Sequence, residues 1–237
     1  MPQLAALIAR VPGGKAGRVV DDFVNVMDLA PTFLEAAGVA APAGMNARSL
    51  WPVLISTQSG QVDPERTWVV TGRERHVAGA REENRPYPLR ALRTGDFLYI
   101  RNFAPDRWPM GAPGEAADSA TPDPQRIESD TGAAFPDMDA SPTKAWLIAH
   151  RNDPQWKAHV DFAFAKRPGE ELYDLRKDPE QVTNVAADPA HAAQKAGLSA
   201  HLLRVLADHG DPRAAAGEPR FEQPPFTNPG AVRKRAK

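Results

Sequence analysis

A β-branched, aromatic run, Thr67-Trp68-Val69-Val70-Thr71, leads through Gly72-Arg73 into Glu74-Arg75-His76. These last three are the residues best suited to chemistry in the chain. Glu, Arg and His together can bind hydroxyls and anionic oxygens, and a strand end that opens into a flexible segment is where a scaffold commonly presents binding residues. The competing reading makes Glu74 and Arg75 an exposed ion pair and His76 a satisfied strand-end residue. Other constellations carry less. Asp137 and Asp139 stand two apart, a spacing open to a hard cation, but no third ligand follows at useful distance. Asp28 reads as a helix cap rather than a catalytic acid. His201 and His209 read as surface residues. The sequence has no cysteine, which excludes disulfides, thiolate zinc sites and a cysteine nucleophile.

These residues must be positioned by a chain of 237 residues, 42% hydrophobic and 25% charged, long enough for one large or two small domains. With 29 basic and 30 acidic residues the net charge is −1, so no global field points to nucleic acid or an anionic membrane, and neither is expected as a partner. The C-terminal cluster Arg233-Lys234-Arg235-Ala236-Lys237 reads as a solvated tail. Leu4 to Val11 is an apolar run stopped by Pro12-Gly13-Gly14, too short to span a bilayer and without a charged leader, so neither a membrane span nor a signal peptide is expected there.

Asp28, Pro31 and Gly38 bracket a helix whose stripe runs through Leu29, Phe33, Leu34 and Ala37. A polar stretch from Ser56 to Pro64 marks a boundary, giving a first domain over 1–60 and a second over 61–215. The second domain holds strands expected at 67–75, 89–93, 97–103 and 171–175. The middle two form a hairpin about Thr94-Gly95-Asp96. Residues 104–142 are rich in Pro, Gly, Ala, Ser and Asp without a period and read as a long loop, disordered or a functional cover. Trp146 to Phe164 reads as two short helices broken at Asp153-Pro154. Leu198, Leu202, Val205 and Leu206 trace the face of a last helix near 190–209. Residues 216–237 read as a disordered tail.

Four blocks resemble one family. Asp28-Leu29-Ala30-Pro31-Thr32 is similar to a stretch of the sulfatases. Residues 71–76, residues 87–103 and Glu171-Leu172-Tyr173-Asp174-Leu175-Arg176-Lys177-Asp178-Pro179-Glu180 look like the C-terminal region of heparan N-sulfatase-like members, in matching order. The Arg48-Ser49-Leu50 element fits as well, with Ala47 where many relatives carry Gly, and Leu7 to Arg18 looks like a sulfatase strand entering a Pro-Gly turn. The resemblance implies a terminal piece of an α/β, alkaline-phosphatase-like catalytic domain, then an α+β domain with a helix packed on a four-stranded antiparallel sheet. It implies hydrolysis of sulfate esters or N-sulfo groups of a sulfated carbohydrate, with a calcium ion and a formylglycine made from Cys or Ser in a C/S-x-P/A-x-R motif. None of Ser49, Ser56, Ser59, Ser119, Ser129, Ser141 and Ser199 begins that motif, and Asp21-Asp22 is not in the family's metal context. No nucleophile, metal ligand or bound cofactor is therefore assigned, and the chain is expected to be inactive alone. His76, with Glu74 and Arg75, is carried over as substrate-binding. The expected partners are a sulfated carbohydrate and the catalytic domain preceding this stretch, and a full-length bacterial relative would be periplasmic or secreted. The alternative is a non-catalytic module binding carbohydrate or protein.

Overall fold

The computed structural model describes residues 7–117, 121–215, 217 and 219–224. The chain divides into two compact units. The first takes in the described residues through Thr71 with Leu92–Leu98 and Tyr173–Thr183, and the second takes Gly72–Ala91, Tyr99–Leu172 and the described residues from Asn184 onward.

Four strands, β1 (Trp68–Arg73), β2 (Leu89–Thr94), β3 (Phe97–Asn102) and β4 (Glu170–Asp174), form one sheet in the order β1-β2-β3-β4. The pairing is antiparallel throughout: Tyr87 N donates to Glu74 O, Phe103 N to Pro88 O, Asn102 N to Gly169 O and Leu175 N to Asp96 O. The expected strands thus form, within a residue or two of their expected ends.

In the first unit, α1 (Leu29–Ala36) does not begin at a cap on Asp28, as the sequence suggested. A 3₁₀ turn, Val26–Asp28, precedes it, so the cap falls one turn earlier. Asn25 Oδ1 accepts from Met27 N, and Asp28 Oδ2 reaches back to accept from Asn25 N at 3.1 Å, a capping box. Asp28 is buried and also accepts from Arg48 N (3.1 Å) and Arg66 Nη1 (2.8 Å). Gly38 ends the helix at φ +69°, as expected. The expected apolar stripe is only partly covered: Leu29 and Leu34 are half-buried, Phe33 is 67% exposed, and the fully buried residues of α1 are Pro31 and Thr32. Thr32 Oγ1 donates to Asp28 O and accepts from Leu50 N, which ties α1 to the start of α2 (Trp51–Ile55). Arg18 donates to the carbonyls of Val53 and Leu54 at the end of α2. Residues 7–11, expected as a strand, make no ladder, and Ile8 is 95% exposed. A strand requires a neighbour to take its N–H and C=O groups, and the described residues offer none here. The expected Pro-Gly turn does form, with Gly14 N donating to Val11 O.

In the second unit α6 (Ala192–Asp208) buries Leu198, Leu202 and Leu206, as its stripe required. Tyr99, fully buried on β3, donates to Glu170 Oε1 at 2.5 Å, with Ser199 Oγ of α6 3.0 Å away. Residues 104–142 are not a structureless loop. They contain α3 (Pro124–Ser129), capped by Asp123, and they feed a second core in which Ile127, Ala133, Ala134 and Phe135 pack with Ala145 and Ile148 of α4 (Pro142–Ala149) and Phe164 of α5 (Lys157–Phe164). Phe135 stacks on Phe164 with centroids 4.6 Å apart. The buried Lys144 Nζ donates to the carbonyls of Thr131, Phe135 and Met138, so one ammonium satisfies three acceptors of an irregular backbone. Burial pulls its pKa below the usual lysine value. Gly114, at φ +54°, lies where a Cβ would stand 2.3 Å from Ala133 O. The 233–237 cluster and most of the 216–237 tail lie outside the described residues.

Candidate functional site

β1 delivers the Glu74-Arg75-His76 loop, and each of the three side chains meets a different environment. Glu74 accepts from Arg90 Nη2 at 2.8 Å and from Arg213 Nε and Nη2 at 3.0 and 2.5 Å. Arg90 also donates to Asp211 Oδ2 at 2.7 Å, Arg213 pairs with Glu222 at 2.8 Å, and Glu222 accepts from Arg107 at 2.8 Å. Three guanidinium groups thus meet three carboxylates in one neutral cluster. Burial, the largest influence, pulls the Arg90 pKa down, but its bonds to Asp211 and Glu74 outweigh burial and raise it. For Asp211 burial works upward, and Arg90 with the Arg213 backbone N–H overcomes it to lower the carboxyl pKa.

Arg75 Nη1 donates to Asn84 O at 3.0 Å, so Glu74 and Arg75 do not simply neutralise each other at the surface. Glu83 and Asn84 hold consecutive left-handed conformations, φ 54° and 58°, and Asn84 Oδ1 accepts from Gly79 N. Beyond His76 the loop is pinned again: Val77 N donates to Asp137 Oδ1 at 3.0 Å, while Asp137 Oδ2 takes the guanidinium of Arg81. Asp137 is thereby committed to a buried ion pair. Arg81 also donates to the carbonyls of Trp108 and Pro109, both at 2.7 Å. Burial pulls the Arg81 pKa down against the raising influence of Asp137. Arg73 and Arg81 lie 5.9 and 5.6 Å from the Tyr87 ring centre, and burial, followed by the Glu171 charge, pushes the Tyr87 hydroxyl up to about 12. No group of three or more His, Cys, Asp or Glu residues suited to a metal occurs among the described residues.

His76 is exposed, at the outer bend of a loop fixed at both ends. Of the three residues singled out from sequence, it is the one left to meet a solute. The supports that sequence reasoning missed, Asp211, Arg213, Glu222 and Arg107, lie up to 148 residues from Glu74, and no local pattern links them.

Known proteins align with parts of this chain. Residues 3–68 match a family profile described as N-sulphoglucosamine sulphohydrolase, C-terminal. That stretch is similar to the sulfatases. The sulfatase relationship continues further along the chain. An ulvan-active sulfatase of Formosa agariphila is 24% identical over 207 residues, covering 83% of this chain and 31% of that protein. An extracellular sulfatase of Drosophila melanogaster is 47% identical over 49 residues, covering 21% of this chain and 4% of the fly protein. The chain therefore spans a third or less of these sulfatase relatives. A solved protein in complex with its substrate D-glucosamine-2-N,6-O-disulfate superposes with a TM-score of 0.45 at 18% identity, covering 81% of this chain and 25% of the other. No helix among the described residues is long and apolar enough to cross a membrane.

Proposed function

We propose that this chain is the C-terminal portion of a sulfatase acting on a sulfated carbohydrate, hydrolysing a sulfate ester or an N-sulfo group. The observation that carries the reading is the family match over residues 3–68. The relative that aligns along 83% of the chain supports it. On this reading residues 1–60 are the last piece of an alkaline-phosphatase-like domain, and the bare Ile8, Val26 and Phe33 are the surface that domain covers.

The residues present do not fit the family's catalytic groups. With no cysteine and no serine in a C/S-x-P/A-x-R motif, the chain has no site for formylglycine, and no described carboxylate cluster suits a calcium ion. No chemical step is assigned to this chain. Its own contribution is binding: His76 offers a ring nitrogen to a sugar hydroxyl or sulfate oxygen, while Glu74, held by Arg90 and Arg213, fixes the loop that presents it.

Two experiments test this. The purified chain, given calcium and an aryl sulfate or N-sulfoglucosamine, should show no turnover; turnover abolished by a substitution within the chain would overturn the reading. Sequencing the reading frame upstream of Met1 should reveal an in-frame C/S-x-P/A-x-R motif. Stop codons and a separate promoter there would favour the stand-alone binding module.

A further inference from the structure

We propose that Arg81, Asn84 and Tyr87, with Arg73 beside them, form a buried binding site for a small inorganic anion of the size of chloride. The proposal does not rest on the sulfatase reading. Three side-chain atoms in this short segment, Arg81 Nη1, Asn84 Nδ2 and the Tyr87 hydroxyl, are buried and have no hydrogen-bond partner among the described residues. Buried polar groups are normally satisfied, so a partner is called for.

All three atoms are donors. Arg81 uses Nε and Nη2 on the carbonyls of Trp108 and Pro109 and on Asp137, which leaves the hydrogens of Nη1 over. Asn84 Oδ1 accepts from Gly79 N at 2.9 Å, which fixes the amide's orientation and makes Nδ2 the spare end. Burial, then the Glu171 charge, pushes the Tyr87 hydroxyl up to about 12, so it keeps its proton to give. A cation is therefore excluded.

Charge decides between an anion and a water. The guanidinium groups of Arg73 and Arg81 lie 5.9 and 5.6 Å from the Tyr87 ring centre, and Asp137 pairs with Arg81 alone. Arg73 donates to Pro109 O at 2.9 Å and meets no carboxylate at ion-pair distance among the described residues. Glu171 and Arg167 act on Tyr87 with opposite signs, and Glu171 Oε1 accepts from Asn102 Nδ2 at 2.8 Å. One positive charge is left over in a poorly solvated place. A water has two lone pairs for three donors and no charge to set against Arg73, whereas a halide accepts all three and carries the missing charge. Size excludes a sugar: Tyr87, Asn84 and Arg81 are 1%, 4% and 7% exposed.

The bound anion would brace the His76 loop from beneath. Arg81 holds Asp137, which takes Val77 N, and Asn84 holds Gly79 N and Arg75.

The test melts the purified chain while potassium chloride replaces potassium gluconate at constant ionic strength. The melting temperature should rise saturably with chloride, and with bromide. Tyr87→Phe keeps the ring and removes one donor, so it should raise the half-saturating chloride concentration about tenfold or more. In gluconate alone it should be at least as stable as the parent, because its hydroxyl has no protein partner to lose. Arg73→Gln keeps a donor for Pro109 O and should raise the half-saturating concentration similarly. Bromide-soaked crystals should show an anomalous peak within hydrogen-bond distance of Arg81 Nη1 and the Tyr87 hydroxyl. Melting that follows ionic strength alone, unchanged half-saturation in both variants, or a Tyr87→Phe chain less stable than the parent in gluconate would each overturn the proposal. So would a water at that position in chloride-grown crystals, or a bromide peak without a saturable response in solution, an adventitious ion only.

Discussion

His76 and Glu74 are two residues apart and sit in opposite environments. His76 is exposed, so His76→Ala should leave the melting temperature of the chain unchanged. In a full-length enzyme it should lower kcat/KM by the equivalent of about 1.5–3 kcal/mol, the usual cost of losing a hydrogen bond to a charged group. Steady-state kinetics beside a melting curve check both halves; a collapse in stability would make His76 structural. Arg213→Ala should behave in the reverse way. Its guanidinium is 6% exposed and serves both Glu74 and Glu222, so its loss takes one of two guanidinium partners from each buried carboxylate and should cost about 3 kcal/mol in urea unfolding. Arg213→Lys should recover only part, because a point charge cannot reproduce the two-pronged contact with Glu74. Asp174 sets an acid limit. Its bonds from Arg176, Nε and Nη2 both at 2.8 Å, hold its carboxyl at about 2 against an ordinary 3.8. The unfolded chain binds the extra proton in that window, so this contribution is complete above 3.8 and is lost as the pH falls toward about 2. Asp174→Asn should flatten that part of the stability profile and leave the profile near neutrality unchanged in slope.

At the scale of elements, the sheet and α6 were legible because their signals are local. β-branched and aromatic runs bounded by turn residues mark the strands, and Leu198, Leu202 and Leu206 repeat at helical spacing on one face. Residues 104–142 were not legible, because their anchors are spread thinly. Ile127 is the one buried residue of α3, and the rest of its packing comes from alanines and Phe135, whose partners lie in α4 and α5. A composition of Pro, Gly and Ala looks the same whether it is free or pinned by a distant helix. Ile127→Ala should therefore cost about 3 kcal/mol, and hydrogen exchange should find amides of 127–135 protected. Exchange as fast as an open loop would contradict the packed segment. The stripe on α1 failed in the opposite direction: Phe33 sits at a core position of the sequence pattern yet stays 67% exposed. Phe33→Ser should reduce binding of a hydrophobic dye by the isolated chain without lowering its stability.

For the whole molecule, the resemblance to the sulfatases was legible through short words in order, while the long-range ionic links that rigidify the candidate loop had no sequence signature. Such links depend on which distant segments the fold brings together, and a carboxylate in a Gly-Arg-Glu-Arg-His string does not announce whether its partner is the next residue or one 139 positions on. The lack of a nucleophile motif was readable directly, and it makes the expectation for the isolated chain plain: no sulfate release from any substrate offered, measured by free sulfate over hours with calcium present.

Asp211, Arg213 and Glu222 all follow α6, the last α-helix among the described residues, and come after every strand of the sheet. A protease nick or premature stop just after Asp208 would keep every strand and all six α-helices, and circular dichroism would report an intact protein. Yet Glu74 would lose one of its two guanidinium partners and Arg90 one of its two carboxylates. The damage would surface about the other end of the domain, as a loosened His76 loop, so the tail's integrity is better judged by mass spectrometry than by any spectroscopic measure of folding.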